Sequence, residues 1–211
     1  MIHIAIKENN TDEAVGKAID ELQKGGIIAY PTETFYGLGV KFDMPDALKR
    51  LYGLKKRPHD KAMPVIIGDS RLLSEVVDEE WLKNIPLTAQ SLMDEHWPGP
   101  LTLLFPAKDG LSEHLTAGTG RIAVRVPGES FALCLAKKAG FPITATSANL
   151  SGMPPAENAE MVKKYFDGGI DMLIDGGQTA GGTPSTIVDV TKDVPVIIRR
   201  GATDIDNEAS N

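Results

Sequence analysis

Two spacings of apolar residues alternate along this chain. Ala14, Val15, Ala18, Ile19 and Leu22 recur at helical intervals behind Thr11-Asp12-Glu13, and Gly25-Gly26 follows, predicting a helix with a defined start and stop. The same interval predicts helices over 45–54, 70–95, 130–138 and 158–166. Between them lie short runs of apolar and β-branched residues, the composition of buried strands. They are residues 2–6, Ile27 to Tyr30, Met63 to Ile67, Leu101 to Phe105, Arg121 to Pro127, Pro142 to Thr146, Asp171 to Ile174, Pro184 to Val190 and Pro195 to Gly201. Strands alternating with helices predict an α/β (α+β) fold. No linker or internal repeat breaks the pattern, so residues 1–203 are expected to form one domain, with a disordered acidic tail from Asp204.

The chemistry gathers where these strands end. Ile143-Thr144-Ala145-Thr146 opens onto Ser147-Ala148-Asn149, then Ser151-Gly152 and Pro154-Pro155, a change from buried apolar to small polar residues. Ile27 to Tyr30 likewise exits into Pro31-Thr32-Glu33-Thr34-Phe35-Tyr36-Gly37. In open α/β sheets such strand ends are where ligands bind. An ordinary turn, its Thr and Asn side chains satisfying local backbone groups, would show the same composition. Lys55-Lys56-Arg57 and Lys61 put four cations into seven residues between a helix and a strand, with Pro58 stiffening the middle. They suit a phosphate, or simply a helix C-terminus. Arg121 and Arg125 share one face of an apolar strand and need anions there, either a ligand or an Asp or Glu partner.

Composition narrows the options. The formal net charge is −7, which argues against a protein that chiefly binds nucleic acid non-specifically. One cysteine, Cys134, excludes a disulfide framework, and its apolar neighbours predict a buried thiol. The four histidines lack metal-ligand spacing, and neither glycine-rich nucleotide fingerprint occurs; Gly176 to Gly182 is expected to be a flexible loop. No apolar run approaches a membrane span and the N-terminus has no signal-peptide pattern, so no membrane partner and a cytoplasmic location are expected.

Taken together and in order, seven stretches resemble the YrdC-type threonylcarbamoyl-AMP synthases. They are Thr32 to Gly39, Lys55 to Pro58, Trp97 to Thr102, Ala123 to Pro127, Ser147 to Asn149, Ser185 to Asp189 and Arg199 to Gly201. The resemblance implies a twisted mixed β-sheet flanked by helices around a large concave basic pocket. It implies the formation of threonylcarbamoyl-AMP and pyrophosphate from L-threonine, bicarbonate and ATP, with Mg²⁺ accompanying ATP. It further implies a link to a transferase that modifies tRNA with the threonylcarbamoyl group. By the same resemblance, Arg57, Lys61, Arg121, Ser147, Asn149 and Arg199 would contact the nucleotide, and Lys55, Arg57 and Lys61 would offset its charge. Thr34, Arg125, Ala145 and Ser185 would hold threonine, Thr32 and Tyr36 would shape the wall, and no residue is assigned as acid or base.

One departure falls at Lys61-Ala62-Met63, where the family usually reads Lys-Pro-Leu; loss of that proline is expected to loosen the loop carrying Lys61. Two other readings compete. A YrdC-like paralogue binding double-stranded RNA, with little synthase activity, would also use a basic hollow. The carbamoyl-handling domain of hydrogenase-maturation proteins belongs to longer chains with Cys-x-x-Cys motifs, which one cysteine does not supply.

Overall fold

The computed structural model describes residues 1–7, 9–58 and 60–205. The strands in chain order are β1 (Ile2–Ala5), β2 (Ile28–Pro31), β3 (Tyr36–Gly39), β4 (Val65–Ile66), β5 (Leu101–Pro106), β6 (Arg121–Arg125), β7 (Ile143–Thr144), β8 (Thr146–Ser147), β9 (Met172–Asp175), β10 (Thr186–Asp189) and β11 (Val196–Arg199). The helices are α1 (Thr11–Gln23), α2 (Pro45–Lys55), α3 (Glu79–Lys83), α4 (Leu87–His96), α5 (Glu113–Thr116), α6 (Phe131–Ala139) and α7 (Ala159–Phe166), with a 3₁₀ turn over Ser70–Glu75.

Where a single mixed sheet is expected, hydrogen bonding divides the strands between two mixed sheets. One runs β1-β9-β2-β3-β8 and the other β11-β10-β5-β6-β4-β7. The chain crosses between them within five residues: β7 ends the second sheet, β8 ends the first, and only Ala145 lies between. Thr144 secures the crossing, accepting from the Val40 amide at 2.9 Å and donating its own amide to the Val40 carbonyl at 3.0 Å. The Ala145 amide donates to the Pro64 carbonyl at 2.8 Å.

Alternation along the strands sends one set of side chains to the core and the other to the opposite face of the sheet. Leu101, Leu103 and Phe105 of β5 and Ile122 and Val124 of β6 are fully buried in the main core. Arg121, Ala123 and Arg125 take the other face, as the spacing predicts. A second core packs α1 and α6 against Ile28, Tyr30, Met172 and Ile174. Ser130 caps α6 and Gly140 ends it at φ 68°; Asn158 caps α7.

Several expectations are corrected. The stretch 70–95 is broken into a 3₁₀ turn and two helices, and Tyr36–Gly39 is a strand, hidden in the sequence by its two glycines. Cys134 is exposed, because α6 turns Phe131, Ala132, Leu135 and Ala136 inward and leaves position 134 on the outer face. Of the expected tail, Asp204 lies 3.8 Å from Arg200 and Ile205 packs against the main core, and residues 206–211 lie outside the described residues. Among the described residues no helix is long and apolar enough to cross a membrane.

Gly39 has a specific reason to lack a side chain: a Cβ there would lie 2.7 Å from the Thr144 carbonyl oxygen and 3.0 Å from the Tyr30 ring. Gly39→Ala should lower stability by about 1–3 kcal/mol in urea titration, since the crossing must shift to admit a methyl. Gly16→Ala in α1, with nothing within 4 Å, should instead add about 0.5–1 kcal/mol. Equal stability of the two variants would mean that the crossing is not tightly packed.

Candidate active site

The crossing and the neighbouring strand ends enclose a cavity of about 420 Å³, within the range of about 300–1,000 Å³ typical of small-molecule sites. Nine sequence-predicted residues line it: Thr32, Thr34, Tyr36, Arg57, Arg125, Ala145, Ser147, Ser185 and Arg199. They arrive from the segment after α2 and from both sheets, at the β2–β3 turn, the end of β6, the crossing and the start and end of the β10–β11 pair. Among the described residues the lining carries three guanidiniums and one carboxylate, that of Glu33.

Each guanidinium is aimed by backbone. Lys56 closes α2 in the left-handed conformation at φ 49°, and this sharp turn sends Lys55 inward and Arg57 toward the cavity. Arg57 is then clamped, Nε on the Lys61 carbonyl at 2.9 Å and Nη2 on the Ala62 carbonyl at 2.5 Å. The Tyr52 hydroxyl also donates to the Lys61 carbonyl. Without the family proline, the Lys61 and Ala62 carbonyls are still held by Arg57 and Tyr52. Arg125 donates from Nε to the Gly99 carbonyl at 2.8 Å, so the Trp97-Pro98-Gly99 turn has a positioning role besides an architectural one. Burial, reinforced by the charge of Arg199 and opposed by Tyr30, lowers Arg125 to about 10. Arg199 donates to the Ser185 carbonyl at 2.7 Å, and the Ser185 hydroxyl meets that of Thr102 at 2.9 Å. Gly201 lets this corner close, since a Cβ would fall 2.2 Å from the Pro184 carbonyl oxygen.

The hydroxyl-rich β2–β3 turn is tied internally. Thr32 Oγ1 donates to the Phe35 carbonyl at 2.7 Å and lies 3.3 Å from Thr34 Oγ1. Tyr36 is buried, which pushes its phenol up to about 12, and its oxygen joins the Gly176 amide and the Gly177 carbonyl. With Gly181 donating to the Thr34 carbonyl at 2.7 Å, the glycine-rich loop is fastened to the cavity wall rather than free.

Four predicted residues lie outside the lining. Lys55 is buried behind the crossing and donates to the carbonyls of Ser147 and, at 2.8 Å, Asn149. Burial, then the charge of Arg57, lowers its ammonium to about 7. Asn149 accepts from the Ser147 hydroxyl at 2.5 Å and ties its own amide to the Leu150 and Met153 carbonyls, so it shapes the turn that presents Ser147. The Lys61 side chain is exposed and the residue contributes its carbonyl. Arg121 pairs at 2.6 Å with Asp189, a carboxylate that burial would raise but that Thr191 and Arg121 hold below its ordinary value. Both strand arginines thus meet carboxylates, since Arg125 Nη2 pairs with Glu33 Oε1. Glu33 is the functional candidate that motif reading passed over; its place between Thr32 and Thr34 was the available signal.

A family model described as Sua5/YciO/YrdC, telomere recombination, matches residues 20–201. The chain is 40% identical over 194 residues to a threonylcarbamoyl-AMP synthase of Bacillus subtilis, covering 92% of this chain and 55% of the relative. It is 38% identical over 180 residues to a threonylcarbamoyl-AMP synthase of Idiomarina loihiensis, covering 85% and 92%. The crystal structure of Pyrococcus abyssi Sua5 complexed with L-threonine superposes with a TM-score of 0.84 at 36% identity, over 95% of this chain and 57% of that one. The chain therefore spans little more than half the length of the Bacillus and Pyrococcus proteins.

The role assigned to Lys55 has a pH signature. Lys55→Met leaves buried carbonyls short of a donor and should cost about 1–3 kcal/mol, with faster amide exchange at Asn149 and Ser151. Below about pH 7 the ammonium is charged in both folded and unfolded states, and the folded state bears the burial penalty in full. Between about 7 and 10.5 the folded state has released the proton that the unfolded chain retains. Wild-type stability should therefore rise with pH relative to Lys55→Met across that window. A constant difference would show that Lys55 keeps an ordinary titration.

Proposed function

Because the chain belongs to the Sua5/YciO/YrdC family, we propose that its cavity holds L-threonine beside ATP and forms threonylcarbamoyl-AMP from them and bicarbonate. The observation that carries this reading is the convergence of Arg57, Arg125 and Arg199 with the hydroxyls of Thr34, Ser147 and Ser185 in one cavity. Three guanidiniums in so small a space favour a polyanion, and neighbouring hydroxyls suit an amino acid bearing its own hydroxyl.

Arg57, Ser147 and Arg199 take the nucleotide, with Lys55 and Asn149 holding the Ser147 turn from behind. Arg125 takes the threonine carboxylate as a fork, Thr34, Ala145 and Ser185 flank the amino acid, and Thr32 and Tyr36 build the wall. The threonine amine and bicarbonate give a carbamate with loss of water. A carbamate oxygen then attacks the α-phosphorus, the bond to the bridging oxygen breaks, and pyrophosphate leaves. Such a step needs alignment and charge stabilisation rather than a protein nucleophile. Mg²⁺ enters on ATP as part of the substrate. Among the described residues, the one carboxylate in the cavity lining is already paired with Arg125, which suits an ion carried by phosphates and water. Bicarbonate, hand-over of the product to a tRNA-modifying transferase, and a cytoplasmic setting belong to the same proposal.

Pyrophosphate release from ATP, Mg²⁺ and bicarbonate should require L-threonine; release that ignores threonine, or none, contradicts the proposal. Arg125→Ala should lower kcat/KM for threonine by about 100-fold or more while ATP still binds, with Arg125→Lys intermediate because it keeps charge but not the fork. Loss of ATP binding instead would assign Arg125 to the nucleotide.

A further inference from the structure

Glu33 poses a problem that the proposed function does not solve. Its carboxylate sits in the cavity against Arg125, the two side chains only 21% and 14% exposed. Oε1 meets Arg125 and accepts from the Gly128 amide at 3.3 Å. Oε2 is buried and has no hydrogen-bond partner among the described residues. A purely structural ion pair in such surroundings normally has its remaining lone pairs satisfied, because an unpaired buried carboxylate oxygen is costly. The open oxygen asks for a donor, and the cavity asks for a cation at that point.

Arg125 poses the complementary demand. If it is to take a ligand carboxylate, the charge it now shares with Glu33 must be met by something else. An α-amino acid carries both missing groups, an anion and a cation separated by one carbon. Among the described residues every other charged side chain of the lining is a guanidinium, so Glu33 is the one group of them that could attract an ammonium.

We propose that Glu33 recognises the α-ammonium of the amino acid substrate through Oε2, and that in the empty cavity its carboxylate stands in for the substrate's own on Arg125. Glu33 and Arg125 together then form a reader for a zwitterion, selecting α-amino acids over simple carboxylates. This rests on the reading of the cavity as a threonine site and adds its specificity-determining residue.

The test compares equilibrium binding of L-threonine with that of 3-hydroxybutyrate, the same molecule without its amino group. Wild type should prefer threonine by about 10–100-fold, the worth of a charge-assisted hydrogen bond. Glu33→Gln should weaken threonine by a similar factor and leave 3-hydroxybutyrate unchanged or tighter, because Arg125 loses its internal competitor. Glu33→Asp should restore part of the preference. A merely structural Glu33 would weaken both ligands alike, and that result, or a preference unchanged in Glu33→Gln, overturns the proposal. Should Glu33→Gln fail to fold, the wild-type comparison still decides, since equal affinity for the two ligands is fatal to it. Failure of wild type to bind threonine at all, with no threonine-dependent pyrophosphate release, refutes the parent reading and this one with it. Normal turnover in wild type with preference intact in Glu33→Gln refutes only this one.

Discussion

The passage of the chain from the edge of one sheet to the edge of the other, through Ile143 to Ser147, is the constraint on which the site depends. Two sheets ending beside each other leave a hollow only if the chain between them is held to a fixed path. Here Thr144 is locked to both backbone groups of Val40, Ala145 to Pro64, and the turn beyond Ser147 to the buried Lys55. Gly39 allows the close approach, and its neighbours leave no room for a methyl. With the crossing fixed, the ends of β6, β8 and β11 face a common space, and their residues become a site without any one segment having to form it alone.

Electrostatics then gives that space its character. A chain of net charge −7 keeps Arg57, Arg125 and Arg199 around one cavity, each held through hydrogen bonds to backbone carbonyls. Carbonyl partners fix a guanidinium without cancelling its charge, as at Arg57 and Arg199, while Arg125 also meets the Glu33 carboxylate. Arg121 shows the other outcome: beside the buried Asp189 its charge is spent within the protein. One strand thus carries two arginines of the same face, Arg121 paired with Asp189 outside the cavity lining and Arg125 paired with Glu33 within it.

Much of this was legible in the sequence where the signal is local. Helix limits at Thr11, Ser130, Gly140 and Asn158, the shared face of Arg121 and Arg125, and the polar exits after β2 and β8 follow from spacing and turn chemistry. What failed was the identity of distant partners. Nothing near Lys55 in the sequence says that it will be buried under carbonyls 92 and 94 residues away, or that Asp189 will claim Arg121. Tyr36-Gly37-Leu38-Gly39 is a strand because β2 and β8 pair with it, against its glycine content. The division into two sheets is likewise a property of pairing. Glu33, set between two threonines of a polar turn, has no local feature separating it from an ordinary loop carboxylate.

A crystal structure of the protein with L-threonine and a non-hydrolysable ATP analogue tests the central claim most directly. The account requires both ligands in the cavity at the sheet crossing, with the amino acid carboxylate on Arg125 and the phosphates toward Arg57 and Arg199. Ligand density on another face of the molecule, or threonine in the cavity with its carboxylate turned away from Arg125, would contradict it.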